Sequence, residues 1–317
     1  MVTRTTARAV TVVLGLVIAS PGCVRGGHPI STGPTLPDQL PQLWTDVDPA
    51  SRDLRDGAGA DFPKPTDDAR YDVVEIDTRG YSITYRVKDA AGGEWNVKLG
   101  PEAQPEVVAS RIVWALGYHQ LPAFFVDRWT AVDPKRKLAA IRGGARFRPH
   151  QLGMKSDGIW SWERNPFAGT RPFNGLLALM MLLNSTDLKA VNNELYRVEG
   201  GAREGASLWY VVKDLGATLG ETGVMDPRRG YLEGFEREPF VLGVTHNGWT
   251  EFAYRGWHRP LVSQVPVDDV KWICERILLL TDNQWRDAFR AARYDDDQTR
   301  RFVARIKQKA AEGLALR

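Results

Sequence analysis

Three features of this 317-residue chain predict an α+β fold. Residues 71–99 hold three short runs that alternate apolar and polar at period two, separated by turn residues, as antiparallel strands do. Residues 173–183 are apolar on nearly every side, which places that helix inside the protein rather than on it. Residues 268–306 show helical periodicity behind capping signals at Thr281–Gln284 and Asp295–Gln298. Hydrophobic residues make up 43% and charged residues 26%, the balance of a globular protein with an ample core. Most of the 11 tryptophans are expected to pack. Net charge is +3; residues 1–22 contain Arg4 and Arg8 and no acid, so the remainder carries 3 − 2 = +1. That balance excludes a nucleic-acid footprint.

The amino-terminus reads as an address. Arg4 and Arg8 precede an apolar run at 9–19, and Ser20-Pro21-Gly22-Cys23 follows. Residues 1–22 form a signal peptide by this reading, too short to serve as a comfortable permanent span. The segment resembles a bacterial lipoprotein signal, which implies lipidation at Cys23 and a membrane-anchored, exported protein of the cell envelope. Ordinary signal cleavage near residues 17–19 is the alternative, leaving a periplasmic or extracellular protein. Cys274 lies in a helical pattern and reads as a small buried side chain. Residues 23–65 are rich in Pro, Gly, Asp and Ser, with too little apolar area to offset the entropy of ordering, and are expected to be a flexible tether. The folded domain is then residues 66–317.

Strands are expected at 71–77, 81–87 and 94–99, the last carrying Lys98. A helix follows over 101–116, with Pro105 in its first turn and Gly117 as its stop. Glu106 in that first turn is the expected partner of Lys98, with Glu102 as competitor. A weak strand is expected near 139–141. Arg142, Arg146, Arg148 and His150 form a cluster suited to an anion, though a solvated loop explains them more simply. After the apolar helix comes a polar turn, then strands at 193–198 and 208–212 joined by a Gly-rich tip, and then Lys213-Asp214-Leu215-Gly216. Residues 217–265 read as loop. His246, Glu251 and His258 fit no compact metal-binding spacing.

The order of these polar residues has a chemical logic. Phosphoryl transfer needs an oriented hydroxyl and a divalent ion to offset phosphate charge. Asp187 on the polar turn suits a base, and Lys189 suits a group that steadies the transferring phosphoryl. Asn192 and Asp214 supply the oxygen ligands that a hard cation prefers. Each alone reads as a turn residue bonded to its own backbone; together, behind a buried helix and across a hairpin, they point to a nucleotide site.

On Trp95-Asn96-Val97-Lys98, the helix from Glu106, Asp187-Leu188-Lys189-Ala190-Val191-Asn192 and Asp214-Leu215-Gly216, the chain resembles the protein-kinase-like superfamily. It is similar to the atypical HipA-like and phosphatidylinositol-kinase-like branches. The resemblance spans about residues 70–290. It implies a bilobal fold, with a small lobe of antiparallel sheet plus one helix (about 66–130) and a larger, mainly helical lobe with a β-hairpin (about 131–317). It further implies ATP and Mg²⁺ as cofactors. Lys98 and Glu106 would serve nucleotide binding, Asp187 and Lys189 catalysis, and Asn192 and Asp214 the metal, with a protein or small-molecule hydroxyl as acceptor. The competing expectation is a catalytically inactive kinase-fold binding or scaffold protein. The chain carries no Gly-x-Ser-x-Gly elbow, Walker loop, His-Glu-x-x-His or Cys-x-x-Cys.

Overall fold

The computed structural model describes residues 39–133, 135–185, 187–223, 225–256 and 259–317. The chain begins its sheet with β1 (Arg70–Asp77), β2 (Thr84–Lys88) and β3 (Glu94–Leu99), then enters helix α1 (Ala103–Ala115). Next come β4 (Phe124–Val126), β5 (Trp129–Asp133), β6 (Leu138–Arg142) and β7 (Ala145–Pro149). These strands form one seven-stranded sheet in the order β4-β7-β3-β2-β1-β5-β6, antiparallel except where β5 joins β1. Alternation decides its faces. Tyr85, Val87, Trp95, Val97 and Phe147 all turn inward onto one aromatic core with Trp129.

The expected division near residue 130 falls inside this sheet. Strands β5, β6 and β7 all belong to it, so the sheet-bearing part runs on to Pro149. Strand β7 escaped recognition because its sequence, Ala-Arg-Phe-Arg-Pro, looks like a charged loop, whereas all five residues are buried.

The rest of the chain supplies β8 (Met154–Gly158), α2 (Arg171–Leu182), β9 (Asn193–Val198) and β10 (Leu208–Val212), with β10-β9-β8 as a second, three-stranded sheet. The stretch expected to be loop contains α3 (Leu232–Arg237), the β11 (Val241–Val244) and β12 (Thr250–Phe252) hairpin, and the short α4 (Arg259–Val262). Helices α5 (Val267–Leu278), α6 (Asp282–Arg290) and α7 (Asp296–Leu314) complete the fold. Both expected capping boxes are present, at Thr281 with Gln284 and at Asp295 with Gln298. Helix α2 is buried from Pro172 to Leu182, as its all-round apolar sequence requires, and the main core gathers around it and α1. Cys274 is buried and has no disulfide partner among the described residues.

The tether expectation is corrected for residues 39–65. Leu43 and Leu54 are buried in the main core, and the segment is strapped across α1 and α6. Trp44 Nε1 donates to Leu116 O at 2.8 Å, Thr45 N to Gly117 O at 2.9 Å, and Gln284 Nε2 to Pro49 O and Arg52 O at 2.8 and 2.7 Å. The strap also explains Gly117: its φ is +100°, and a Cβ there would stand 2.2 Å from Thr45 O. Composition hid this because the anchors are mostly backbone groups met by side chains from elsewhere in the chain. Residues 1–38, and with them Cys23, lie outside the described residues.

Candidate functional site

The site is built where β3 leads into α1. Alternation sends Trp95 and Val97 into the aromatic core, so Lys98 emerges on the opposite face, 5% exposed. Its ammonium meets three carboxylates: both oxygens of Asp214 at 2.8 Å, Glu106 Oε2 at 2.9 Å and Glu102 Oε2 at 3.2 Å. The expected partner Glu106 and its competitor Glu102 therefore both contact it. Glu106, 1% exposed, is held a second time by Arg146 Nε at 2.9 Å and Arg148 Nη2 at 3.0 Å. Glu102 has its own supports: it accepts from Ser82 Oγ at 2.8 Å and from Arg229 Nε at 2.9 Å.

Charge pairing overrides burial in this cluster. Burial opposes the ammonium of Lys98, but Glu106 and Asp214 outweigh it and hold its pKa above the usual lysine range. Burial likewise works against the Asp214 carboxylate, yet Lys98 and the Gly216 N–H bring its pKa down to about 2. Glu106 is also held below its ordinary value, burial being outweighed by Arg146 and Lys98.

The second half of the site leaves α2. The β9–β10 register, which ends at Val212 opposite Asn193, brings the strand exit back to the polar turn. Asn192 O then accepts from Lys213 N at 2.8 Å and Asp214 N at 3.2 Å. Asn192 Nδ2 donates to Asp187 O at 2.8 Å, which closes the turn and leaves the amide oxygen as the acceptor end of that side chain. The Asp187 carboxylate pairs with Lys189 Nζ at 2.8 Å, both side chains partly exposed. Gly216 is needed for close approach: a Cβ there would stand 2.6 Å from Glu102 Cβ.

A cleft of about 620 Å³ lies between the two sheets, lined among others by Thr84, Asn96, Arg146, Arg148, Tyr196 and Lys213. Arg146 and Arg148 thus face both the cleft and Glu106. Among the described residues, no group of three or more His, Cys, Asp or Glu side chains could hold a metal by itself. The Asn192 amide and the Asp214 carboxylate are hard oxygen donors next to each other in the backbone network. Donors of this type are what a Mg²⁺ would take from a protein beside phosphate and water.

All six expected nucleotide, catalytic and metal residues thus fall into two adjoining groups: Lys98, Glu106 and Asp214 in the cluster, and Asp187, Lys189 and Asn192 on the turn. Arg146 and Arg148 correct the solvated-loop explanation, since they are 6% and 7% exposed. The period-two Arg-x-Arg around Phe147 was the available signal. Arg229 and Ser82 had none, because their partner Glu102 is distant in sequence. His246 is exposed, and His258 lies outside the described residues.

No family model matches the chain. No curated protein matches it either. Among solved structures it is similar to a Helicobacter pylori proinflammatory kinase, CtkA, at a TM-score of 0.36 and 10% identity, over 79% of this chain and 99% of that one. A likeness at that level carries no argument about activity, which rests on the residues themselves.

Proposed function

We propose that this chain is an exported, lipid-anchored protein of kinase-like bilobal architecture that binds ATP with Mg²⁺ and transfers a phosphoryl group to a hydroxyl acceptor. The observation that carries the reading is the meeting of Lys98, Glu106 and Asp214 in one ion cluster, buried at Lys98 and Glu106, whose Asp214 is backbone-bonded to Asn192. A strand lysine paired with a helix glutamate beside an Asp-x-Gly is how kinases hold nucleotide phosphates and their metal. Lys98 would exchange its Asp214 contact for phosphate oxygens, with Glu106 keeping its ammonium in place. Asp214 and the Asn192 amide would then hold the metal, which when bound offsets charge on the phosphates. Asp187 would orient the acceptor hydroxyl and take its proton, and Lys189 would steady the transferring group. Anchoring rests on the sequence around Cys23; among the described residues no helix is long and apolar enough to cross a membrane.

A second reading, a kinase-fold protein that binds partners without catalysis, is favoured by one observation. The Lys98 ammonium is already saturated by three carboxylates, and both Asp214 oxygens are engaged by it. Thermal unfolding of the purified protein with ATP and Mg²⁺ or Mn²⁺ tests the nucleotide site, and phosphate transfer that is lost in Asp187→Ala decides catalysis. Nucleotide at about 100 times its Kd should stabilise the wild type by roughly 2.7 kcal/mol, and Asp214→Ala should lose that gain. No nucleotide-dependent shift in the wild type refutes the proposed site. Mass spectrometry of the mature amino-terminus tests the anchor: acyl chains on Cys23 support it, and an unmodified terminus overturns it.

A further inference from the structure

Among the donors that meet the exit of α2 is a lysine from the far end of the chain. A helix leaves its last four carbonyls without helical partners, and here each has a donor. Asn184, with φ +56°, and Ser185 turn back in a Schellman motif, donating to Met181 O at 3.1 Å and Met180 O at 2.8 Å. Leu183 O accepts from Leu219 N at 2.9 Å. Leu182 O accepts from Lys309 Nζ, on α7, at 3.2 Å.

Lys309 is wholly buried, 0% exposed, and no carboxylate of the described residues forms an ion pair with it. Its other contacts are Asn184 Oδ1 at 2.7 Å and the face of Phe235, 4.0 Å from the ring centre. The negative end of the α2 dipole replaces the missing counter-ion. Burial pushes the ammonium well below its ordinary pKa and Arg305 adds to the shift, while Glu312 and Glu238 oppose it. Retaining so costly a group in a core calls for more than packing. Asn184 supplies the reason. Its Oδ1 accepts from Lys309 while its Nδ2 donates to Gly220 O at 2.6 Å, on the segment that follows Asp214-Leu215-Gly216.

We propose that Lys309 and Asn184 are positioning residues that fix where the turn carrying Asp187 leaves α2 relative to the segment carrying Asp214. The inference rests on the phosphotransfer reading for its catalytic consequence, but its structural half stands apart from it. Neither residue touches the nucleotide cluster, so they should govern turnover rather than nucleotide affinity.

The test uses the full chain and two variants. Asn184→Gly keeps the left-handed backbone, which glycine adopts freely, and deletes only the bridge. Lys309→Met keeps length and apolar bulk and deletes the donor. Two measurements are made: hydrolysis of Mg-ATP with water as acceptor, and hydrogen exchange of the amides of residues 187–192. Both variants should lower kcat by about tenfold or more, as small misplacements of a reacting group do. The Kd for ATP should stay within about threefold of wild type. The double variant should be little worse than either single one, since both break one chain of contacts. Amides of 187–192 should exchange faster while those of β9 and β10 do not. Unchanged exchange at 187–192 in Asn184→Gly overturns the proposal, as does faster exchange with undiminished kcat. A wild type that neither binds nor hydrolyses ATP refutes the functional reading instead, and exchange in Asn184→Gly still decides whether the bridge orders the turn.

Discussion

The Lys98 cluster and the turn that carries Asp187 lie side by side, joined where Asn192 O accepts from the N–H groups of Lys213 and Asp214, yet they are held in opposite ways. In the cluster, Lys98, Glu102, Glu106, Arg146 and Arg148 are buried while Asp214 stays about one-third exposed, and Lys98 and Glu106 each touch three charged partners drawn from β3, β7, the start of α1 and the β10 exit. Side chains specify it. The turn is held through its backbone, by Asn192 reaching the Asp187 carbonyl and by the capped exit of α2, while its carboxylate and lysine remain partly exposed and meet each other. On the proposed function, the buried Lys98–Glu106 pair would grip one ligand, while the partly exposed Asp214, Asp187 and Lys189 would face it and a second one. The difference also separates the variants that unfold the protein from those that only silence it.

The largest effect is expected at Glu106. Replacing it with Gln leaves Lys98, Arg146 and Arg148 without their shared counter-charge in a buried place. Breaking a buried ion pair from one side typically costs about 3–5 kcal/mol. Urea denaturation of Glu106→Gln should show a loss of that order, with an unchanged m-value. A loss below about 1 kcal/mol would mean that the cluster is far wetter than its burial indicates.

A smaller effect should appear with acid. Asp214 falls from an ordinary value of 3.8 to about 2 in the fold, and Glu106 lies below its ordinary 4.5. Because both are depressed, the unfolded chain takes up protons first on acidification. Their stabilisation is complete above the ordinary carboxylate range and is lost as pH falls through the folded values. Stability should therefore decline from about pH 4 towards pH 2, and Asp214→Asn should flatten the lower part of that decline. A profile in Asp214→Asn identical to wild type would remove Asp214 from the linkage.

How much of this was legible in the sequence follows the same division. The turn and the hairpin could be read because their contacts are local: Asp187, Lys189 and Asn192 lie within six consecutive residues, and strand alternation fixes the return to Asp214. Lys98 and Glu106 could be read because one strand leads into one helix. Arg146 and Arg148 read more simply as a solvated loop and Arg229 carries no signal at all, since their meaning depends on acids in and just before α1 that only the tertiary fold brings near. The strap at residues 39–65 was missed for a related reason. Its few apolar anchors looked insufficient, and the groups that hold it, such as Gln284, lie on α6. Local periodicity reveals elements; it does not reveal which charge will find which.

The smallest expected change in stability comes with the largest expected change in chemistry, at Asp187. In Asp187→Asn the side chain loses its ion pair with Lys189, but that pair is partly exposed on both sides and worth at most about 1 kcal/mol. The contact that closes the turn, from Asn192 Nδ2 to the Asp187 carbonyl, uses the backbone and survives the substitution. The variant should therefore unfold close to wild type and keep its nucleotide-dependent thermal shift, because Lys98, Glu106 and Asp214 are untouched. Transfer should fall by about a hundredfold or more, since an amide cannot accept the proton of the attacking hydroxyl. The measurement is single-turnover phosphate release beside the thermal shift on the same preparation. An Asp187→Asn protein that binds nucleotide and turns over at the wild-type rate would return the turn to its structural meaning, a hydrogen-bonded link between α2 and β9. If nucleotide binding is retained but neither protein transfers phosphate, the comparison tips towards the binding reading, with the cluster as the functional half and the turn as its support.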